Sequence, residues 1–351
     1  MDHNQMQITK RFWGKSAAAG DIYIFRISSK VGAYFEVTNY GATWVSAVVP
    51  DRNGVLEDVL LGFDNLEAYL CDTAYIGSTI GRFANRIANA SFELNGKTYR
   101  LENNDGENSN HSGSSGFHQR IFDYEIVENG IMFSLHSLDG EGGFPGNLSV
   151  KIRYVFSDDL RVSILYEAVS DADTYLNLTN HAYFNLKGGG NIGGHRLFVP
   201  SSKVLKTDKQ FIPTGEIADV SGSELDFTQG NLVEVALNST DPWVWDNRGL
   251  NHCYVLPSNN KKRQLAAELS DPESGRGLQV ITTQPAVIVY SAGFLASEYP
   301  GKKGRKYAAS EGVCFETQNF PDYPNHPEFD PKPLKAFEKY EHQTGYVFWG
   351  V

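Results

Sequence analysis

The sequence predicts an all-β protein with a few short helical turns. Aromatic residues make up 13% of the chain, which has 34 glycines and 14 prolines but only 21% charged residues. This composition is typical of strands joined by tight turns. Residues 150–168 alternate between apolar and polar side chains, the period of a half-buried strand. Neither a long amphipathic helix nor a strand–helix alternation is visible, so a doubly wound parallel sheet is not expected.

The N-terminal part predicts paired strands. β-Branched and aromatic residues dominate positions 32–50, and Asn39 and Gly41 interrupt them, which indicates two strands and a turn. Residues 65–70 can form one short helical turn. Residues 92–101 carry the clearest hairpin signal, because Asn95-Gly96 suits the two positive φ angles of a type I′ turn.

The second half continues the pattern. Residues 150–168 predict a hairpin with one buried face, turning at residues 157–159. Further short β-rich runs lie at 196–200, 252–256, 278–283, 286–290, 313–317 and 346–349. A chain of 351 residues could hold two domains, but all-β folds often exceed the usual domain size, and no linker or repeat marks a boundary. We therefore expect one domain over residues 1–351.

Charge and cysteine content restrict the function. A net charge of -11 argues against nucleic acid as a partner, since phosphate binding needs concentrated positive charge. The three cysteines, Cys71, Cys253 and Cys314, are too few for a disulfide framework and match no zinc spacing, which suggests a reducing compartment. The sequence has neither the apolar stretch of a signal peptide nor a run approaching the roughly 20 apolar residues of a membrane span. A soluble, cytoplasmic protein without a membrane partner is expected.

Two ionisable residues stand in strand-like, otherwise neutral surroundings. His181 lies within Asn177-Leu-Thr-Asn-His-Ala-Tyr-Phe-Asn-Leu186, and Glu316 lies within Val313-Cys-Phe-Glu-Thr-Gln318. A histidine and a glutamate held across a pocket form an acid/base pair. With ordinary pKa values of about 6.5 and about 4.3, an imidazolium and a carboxylate are expected to coexist near neutral pH. Most of the other histidines are expected to be structural.

Three further residues are candidates for ligand contact. His111 lies in a glycine- and serine-rich loop that could approach a ligand. Arg82 and Arg86 would point to the same side of an extended strand, and one of them is expected to be a buried structural partner. The forked guanidinium group of an arginine in a pocket would suit vicinal hydroxyls or carboxylates. No two histidines have metal-site spacing on one element, so no metal is expected.

Several motifs in one order resemble the galactose mutarotase (aldose 1-epimerase) family. The motifs are Asn39-Tyr-Gly-Ala42, Asp58-Val-Leu-Leu-Gly-Phe-Asp64, Gly81-Arg-Phe-Ala-Asn-Arg-Ile-Ala88, Asp139-Gly-Glu-Gly-Gly-Phe-Pro-Gly146, the segment 177–186, Thr283-Gln-Pro285, and Phe315-Glu-Thr-Gln318 followed by Pro321-Asp322. They run through most of the chain. Their shared order is stronger evidence than any single motif.

The resemblance implies one large β-supersandwich domain with a sugar cleft. It implies Glu316 as general base and His181 as general acid. Sugar hydroxyls would be held by Asn85, Arg86, His111, Asn251 and Gln284. No cofactor is implied. The expected partner is a small aldose sugar, and the chain is expected to be a monomer or a weak homodimer.

This chain departs from the family pattern in three places. The loop histidine is usually followed by two glycines, whereas here the segment is Asn110-His-Ser-Gly113. A rim motif is Tyr290-Ser-Ala-Gly-Phe294 where the family has Tyr-Ser-Gly-Asn-Phe. The largest departure is Asn251, which stands where the family usually has an aspartate before the histidine.

The predicted function is an aldose 1-epimerase that interconverts the α and β anomers of an aldohexose such as galactose or glucose. A glycoside hydrolase or lyase on a similar fold is one alternative, although hydrolysis needs two facing carboxylates and Glu316 has no acidic partner in a comparable motif. A non-catalytic sugar-binding protein is another. The presence of two proton carriers argues against it.

Overall fold

The computed structural model describes residues 6–16, 20–258 and 262–350, and within them strands far outnumber helices. The three α-helices are α1 (Leu66–Leu70), α2 (Glu234–Leu237) and α3 (Pro242–Trp245). The strands up to residue 110 are β1 (Gln7–Ser16), β2 (Gly20–Ser28), β3 (Tyr34–Thr38), β4 (Thr43–Pro50), β5 (Leu56–Asp58), β6 (Thr79–Ile80), β7 (Arg86–Ile87), β8 (Ser91–Leu94), β9 (Lys97–Arg100) and β10 (Ser109–Asn110). No helix among the described residues is long and apolar enough to cross a membrane.

The remaining strands complete the sheets. They are β11 (Asp123–Val127), β12 (Gly130–Ser137), β13 (Leu148–Ser157), β14 (Arg161–Ser170), β15 (Thr179–Asn180), β16 (Tyr183–Phe184), β17 (Arg196–Phe198), β18 (Lys203–Thr207), β19 (Pro213–Asp219), β20 (Asn231–Leu232), β21 (Asn251–Val255), β22 (Gln264–Ser270), β23 (Arg276–Thr282), β24 (Ala286–Tyr290), β25 (Val313–Gln318) and β26 (Lys339–Gly350). Single 3-10 turns lie at Ala88–Ala90, Gly113–Ser115, Phe117–Gln119, Glu141–Gly143, Lys302–Gly304, Tyr323–Asn325 and Pro327–Phe329.

Three larger sheets form a β-sandwich. A nine-stranded sheet has the order β11-β12-β13-β14-β26-β23-β22-β17-β20, a six-stranded sheet has the order β16-β25-β24-β21-β18-β19, and a five-stranded sheet runs β1-β2-β3-β4-β5. Their ladders are antiparallel. The main hydrophobic cluster takes side chains from all three sheets, for example Trp44, Ile152 and Phe315. The sequence prediction of an all-β fold is confirmed.

The predicted hairpins form as expected. Strands β8 and β9 pair through a turn in which Asn95 has a φ of 52° and Gly96 a φ of 75°. Both angles are the positive values that a type I′ turn requires. Strands β13 and β14 pair in register, and Val150, Ile152, Tyr154 and Phe156 are buried. Helix α1 starts after Asn65, whose side chain accepts a hydrogen bond from the Ala68 N–H.

Alternation along β25 decides where Glu316 points. Val313 and Phe315 pack into the main core, whereas Cys314 lies in a second hydrophobic cluster on the other face of the six-stranded sheet. Successive side chains of a strand point to opposite faces, so Glu316 shares the outer face with Cys314. The same alternation on β24 puts Val289 in the main core and Tyr290 on the outer face. The six-stranded sheet therefore presents a second, partly polar surface.

His181 differs from its prediction. It lies in the short gap between β15 and β16 rather than on a strand. Its backbone is nevertheless fixed, because its N–H donates to the Ser78 carbonyl and its carbonyl accepts from the Gly77 N–H, both at 2.9 Å. The Asn180 side chain also donates to the Gly77 carbonyl. These hydrogen bonds fix the position of the backbone at His181.

Candidate active site

A cavity of about 340 Å³ opens on the outer face of the six-stranded sheet. Six of the seven residues predicted for the site line it. They are Asn85, Arg86, His111, His181, Asn251 and Glu316. These residues come from distant parts of the chain. Strands β25 and β21 supply two of them, and loops supply most of the others.

His181 and Glu316 form the centre of the cavity. The Nε2 atom of His181 is 3.6 Å from Oε1 of Glu316, and the two side chains are 6% and 3% exposed. The other carboxyl oxygen of Glu316, Oε2, is buried and has no hydrogen-bond partner within the protein. The remaining ring nitrogen of His181, Nδ1, lies 3.6 Å from Sγ of Cys314. A bound hydroxyl group could satisfy the unpaired carboxyl oxygen.

Burial controls the protonation of this pair. Loss of water raises the pKa of Glu316 to about 8, although the charge of Arg86 opposes the shift. Loss of water also lowers the pKa of His181 to about 4. The expected coexistence of carboxylate and imidazolium near neutral pH is thus wrong for the sugar-free cavity, because unperturbed pKa values omit desolvation. Between about pH 4 and about pH 8 the pair holds one proton, which resides on Glu316.

His111 is oriented as a hydrogen-bond donor. Its Nδ1 accepts the backbone N–H of Asn85 at 3.1 Å. Burial, together with the nearby His181, lowers the pKa of His111 well below its usual value, so its ring is neutral. A neutral imidazole that accepts through Nδ1 carries its proton on Nε2. His111 can therefore donate from Nε2 to a ligand oxygen.

Arg86 and Arg82 point to different places, contrary to the expectation of one extended strand. Strand β7 contains only two residues, and Asn85 before it has a φ of 68°. Arg82 is buried against strand β12 and the β12–β13 connection, as a structural partner. Arg86 lines the cavity, its Nε atom bonds Oδ2 of Asp105 at 2.7 Å, and its guanidinium lies 5.0 Å from the ring centre of Phe211.

The outer face of the sheet explains why Asn251 reaches the cavity. Strand pairing aligns Tyr183, Cys314, Tyr290 and Asn251 in one row across β16, β25, β24 and β21. Three of these four residues line the cavity, and Cys314 contacts His181 from below. Asn251 is therefore placed to contact a ligand.

Gln284 is the exception among the predicted residues. It does not line the cavity. Its side chain is buried and donates to the hydroxyl of Tyr340 at 3.2 Å. The geometry gives no support to a contact between Gln284 and a sugar, and that role stays a prediction.

Three tyrosines line the cavity but were not predicted as site residues, although Tyr183 and Tyr290 stand in the motifs quoted above. Tyr75 packs its ring against His111 at 4.6 Å and against His181 at 5.9 Å between ring centres. Tyr183 stacks on His181 at 5.0 Å and donates its hydroxyl proton to the Ala74 carbonyl. The hydroxyl of Tyr290 accepts the Phe294 N–H. The hydrogen bonds of Tyr183 and Tyr290 tie the segments at Ala74 and Phe294 to the six-stranded sheet.

The structure also brings three possible metal ligands together, which spacing along the sequence could not reveal. One ligand atom each from His111, His181 and Glu316 lies within 4.8 Å of the others. Nδ1 of His111 already accepts the backbone N–H of Asn85, and Nε2 carries the ring proton. To bind a metal ion, the ring would have to give up either this hydrogen bond or this proton. The donor set suits hydrogen bonding to hydroxyl groups better than a metal ion.

Comparisons with known proteins point to one family. The aldose 1-epimerase family profile matches residues 23–347. Galactose mutarotase from Bos taurus is 38% identical over 346 residues, covering 98% of this chain and 99% of its own length. Aldose 1-epimerase from Escherichia coli K12 is 34% identical over 335 residues, covering 93% and 94%.

Solved structures agree with this assignment. An aldose epimerase homologue from C. elegans superposes with a TM-score of 0.86 at 29% identity, covering 93% of this chain and 98% of its own. Galactose 1-epimerase from Lactobacillus acidophilus also reaches 0.86, at 27% identity, covering 99% and 100%. The near-complete coverage in both directions extends the likeness over the whole fold. The chain therefore belongs to the aldose 1-epimerase family.

Proposed function

We propose that the protein is an aldose 1-epimerase, an isomerase that interconverts the α and β anomers of an aldohexose such as galactose or glucose. The main observation in support is the buried pair of His181 and Glu316, 3.6 Å apart, at the base of a cavity lined by hydrogen-bonding groups. The names of the relatives from Bos taurus and Escherichia coli agree with this activity. The catalytic roles below are part of the proposal.

Ring opening needs an acid and a base on neighbouring oxygens. Glu316 takes the proton of the anomeric hydroxyl while His181 donates a proton to the ring oxygen, so that the C1–O5 bond breaks and an open-chain aldehyde forms. Rotation about C1–C2 turns the other face of the carbonyl towards O5. Reclosure returns the O5 proton to His181 and the Glu316 proton to O1, which gives the other anomer.

The proton must first move from Glu316 to His181. Sugar binding favours this transfer, since hydroxyl groups that donate to the unpaired Oε2 of Glu316 stabilise the carboxylate. The charge of Arg86 acts in the same direction. No external proton is needed, because the pair already holds the one that the reaction uses.

Four residues are proposed to hold sugar hydroxyls. Arg86 and Asn251 line the cavity and can donate hydrogen bonds, and His111 donates from Nε2. Asn85 also lines the cavity, although its Oδ1 accepts the Arg86 N–H at 2.8 Å. Its amide group can still donate. A set dominated by donors suits the oxygen-rich surface of a sugar.

Polarimetry tests the proposed activity. Freshly dissolved α-D-galactose and α-D-glucose are expected to reach anomeric equilibrium much faster with the protein than without it. Glu316→Gln keeps the shape of the side chain but cannot accept the proton, so we expect a loss of about 10² to 10⁴-fold. His181→Asn is expected to lose turnover as well. Rates near that of the unmodified protein for Glu316→Gln would remove this residue from the mechanism.

Chelation tests the cofactor-free chemistry. Treatment with EDTA is expected to leave the rate unchanged, because the proton transfers use only His181 and Glu316. Loss of activity that an added divalent ion restores would instead assign the cluster of His111, His181 and Glu316 to a metal ion.

The hydrolase alternative has one structural feature in its favour. A second carboxylate, Asp105, lines the same cavity, but it is bound to Nε of Arg86 at 2.7 Å. An acid or base engaged in this way is poorly placed to act on a glycosidic bond. Incubation with aryl α- and β-glycosides is expected to release no phenol. Release of phenol at a rate sensitive to Asp105→Asn would favour hydrolysis.

A further inference from the structure

The ring of Tyr75 contacts three histidine rings at the active-site cavity. Its ring centre is 4.6 Å from that of His111, 4.7 Å from that of His118 and 5.9 Å from that of His181. The rings of Tyr75 and His181 are nearly parallel, with 27° between their planes, whereas the other two contacts are edge contacts. Tyr75 therefore packs against the proposed general acid, His181, and against the proposed hydroxyl donor, His111, at the same time.

The backbone at Tyr75 is strained and is held in that conformation. Its φ of 57° lies in the left-handed region, which residues other than glycine rarely adopt and which persists where the surrounding structure enforces it. The residues on either side, Ala74 and Ile76, donate their backbone N–H groups to the two carboxyl oxygens of Asp72 at 2.9 and 2.7 Å. The Tyr75 carbonyl accepts the Ser78 N–H at 3.0 Å. These hydrogen bonds fix the direction in which the Tyr75 side chain leaves the backbone.

The segment that carries Tyr75 also holds the backbone of His181. The carbonyl of Ser78 accepts the His181 N–H, and the Gly77 N–H donates to the His181 carbonyl, both at 2.9 Å. Backbone bonds alone leave the imidazole free to turn, because the χ2 torsion of a histidine has a broad energy minimum. A flat ring packed nearly parallel to the imidazole restricts that rotation. The same short segment thus sets both the main chain and the ring plane of His181.

His118 supports the Tyr75 ring without lining the cavity. Its side chain is buried and uses the space that Gly116 leaves open, since a Cβ atom on that glycine would lie 2.4 Å from Nδ1 of His118. Burial lowers the pKa of His118 to about 4, so its ring is neutral near pH 7. The contact between His118 and Tyr75 is therefore one of packing, and it adds no charge beside the acid/base pair.

We propose that Tyr75 is a positioning residue whose ring fixes the plane of the His181 imidazole, so that His181 faces the sugar ring oxygen while Glu316 faces the anomeric hydroxyl. The inference rests on the proposed aldose 1-epimerase activity and deepens its mechanism. The acid and the base must act on neighbouring oxygens, so a rotated imidazole would direct its proton away from the ring oxygen. Misplacement of this kind slows the chemical step more than it weakens substrate binding. The flat ring of Tyr75 supplies this function, because the ring makes the contacts with the histidines.

Polarimetry of two Tyr75 variants tests the positioning role through kcat and KM for galactose and glucose. Tyr75→Leu keeps an apolar side chain but loses the flat ring, so we expect kcat to fall by about tenfold to 100-fold while KM changes by less than about threefold. Tyr75→Phe retains the ring and is expected to keep kcat within about twofold of the unmodified protein. Chemical denaturation followed by fluorescence checks that each variant is folded. If Tyr75→Leu does not fold, Tyr75→Met takes its place with the same expected result.

Tyr175→Leu is the matched control. Tyr175 is 5% exposed, packs against Phe92 and Tyr323 at 5.3 and 5.5 Å between ring centres, and lies outside the cavity. Its loss removes a packed tyrosine ring away from the histidines, so kcat and KM are expected to stay unchanged.

Four results would contradict the inference. An equal loss of kcat in Tyr75→Phe and Tyr75→Leu would assign the effect to the hydroxyl group. A rise in KM without a fall in kcat would assign Tyr75 to sugar binding, and an unchanged kcat in Tyr75→Leu would show that His181 needs no such support. Each of these three results overturns the positioning role and leaves the proposed function standing. Inactivity of the unmodified protein on both sugars would overturn the proposed function, and this inference with it.

Discussion

Desolvation dominates the chemistry of individual residues at this site. His181 and Glu316 are almost fully buried and lie 3.6 Å apart. The charged form of each side chain therefore loses its hydration, and the interaction with the other side chain replaces only part of it. The pKa of Glu316 rises and that of His181 falls, and the two shifts leave one shared proton over a wide pH range. A pair that exchanges one proton internally is suited to a reaction with no net proton change.

This shared proton predicts the pH dependence of catalysis. We expect kcat/KM to be nearly constant between about pH 4 and about pH 8, because the number of protons on the pair does not change in that interval. Below it a second proton enters, and above it the only proton leaves, so the rate falls on both sides. Polarimetric rates from pH 3.5 to pH 9.5, in buffers of constant ionic strength and corrected for spontaneous mutarotation, check this profile. An alkaline limb near the ordinary pKa of histidine, about 6.5, would contradict it.

The substitution Asn251→Asp tests how the neutral side-chain amide of Asn251 affects sugar binding. A carboxylate accepts hydrogen bonds from hydroxyl groups with charge assistance, which makes them roughly twice as strong as neutral ones. Asn251→Asp is therefore expected to lower KM by up to roughly tenfold for sugars with a hydroxyl at that point. The added negative charge near Glu316 should also move the alkaline limb to higher pH. Kinetics with galactose, glucose, xylose and arabinose provide the measurement.

The matched control for this change is Asn103→Asp. Asn103 is exposed and lies outside the cavity, so the substitution adds the same charge without a ligand contact. Unchanged kcat and KM values for every sugar in Asn251→Asp would mean that Asn251 does not contact the substrate. A KM shift confined to some sugars would identify the hydroxyl by which they differ.

At the scale of elements, buried amide and guanidinium groups tie the short segments of the site to the sheets. The Asn177 side chain donates to the carbonyls of Ala84 and Asn319, and the Asn185 side chain donates to those of Gly190 and Glu311. The neutral polar residues around His181 thus hold backbone in place. Such bonds replace the ladder that two-residue strands cannot supply.

Arg82 is the strongest of these ties. Its guanidinium donates to the Ser137 hydroxyl and to the carbonyls of Ser137, Leu138 and Pro145, all between 2.8 and 3.1 Å. Arg82→Met leaves these buried acceptors unpaired and is expected to lower the free energy of unfolding by about 2 to 5 kcal/mol. Chemical denaturation followed by fluorescence measures the change.

A half-exposed arginine, Arg161, serves as the comparison for Arg82. Arg161 pairs with Asp159 and is 43% exposed, so Arg161→Met is expected to change the stability by no more than about 0.5 kcal/mol. A similar small change in Arg82→Met would show that water replaces its bonds. The role of Arg82 as an anchor for the loop before Arg86 would then be wrong.

At the scale of the whole molecule, the main hydrophobic cluster contains residues from Met6 to Phe348 and joins the three large sheets. We propose on this basis that residues 1–351 form one domain. The cavity lies outside this cluster, above the second cluster that contains Cys314 and Tyr290. The stable core and the reactive groups therefore occupy opposite faces of the same sheet.

Several buried histidines make global stability sensitive to acid. Burial lowers the pKa of His118, His181 and His252 to about 4, and that of His111 well below its usual value. Below about pH 6.5 the unfolded chain binds protons that the folded chain does not, so stability falls as the pH falls towards 4. Glu316, Asp72 and Asp322 act in the opposite sense, because burial raises the pKa of Glu316 to about 8, that of Asp72 to about 6 and that of Asp322 above its usual value, so the folded chain binds protons that the unfolded chain releases. The four histidines outnumber these three carboxyl groups.

We therefore expect the free energy of unfolding to decrease from pH 7 to pH 5. Each proton bound only by the unfolded chain contributes about 1.4 kcal/mol per pH unit. Guanidinium titrations at intervals of half a pH unit measure the slope, and His118→Gln should reduce it, because burial lowers the pKa of His118. A stability that increases on acidification over this range would contradict the role of the buried histidines.

The fold class, the main hairpins and six of the residues that line the cavity could be predicted from the sequence. Alternation over residues 150–168 and the Asn95-Gly96 pair were sufficient for the hairpins, because such signals depend on neighbours along the chain. The motifs around His181 and Glu316 predict the proposed acid/base pair, whose catalytic roles stay a proposal. Side chains alternate between the two faces of a strand, so the order Val313, Cys314, Phe315 and Glu316 already implies that the Glu316 side chain points away from the main core.

The interactions between these residues depend on the packing of the folded chain and could not be predicted from the sequence. Burial shifts the pKa values of His181 and Glu316, and the rings of Tyr75 and Tyr183 that pack against His181 lie far from Glu316 in sequence. The separate directions of Arg82 and Arg86 follow from a local backbone turn at Asn85, and the row that brings Asn251 beside Tyr290 follows from strand register. Desolvation and proximity arise from the packing of distant segments. A pattern of residues along one chain specifies neither of them directly.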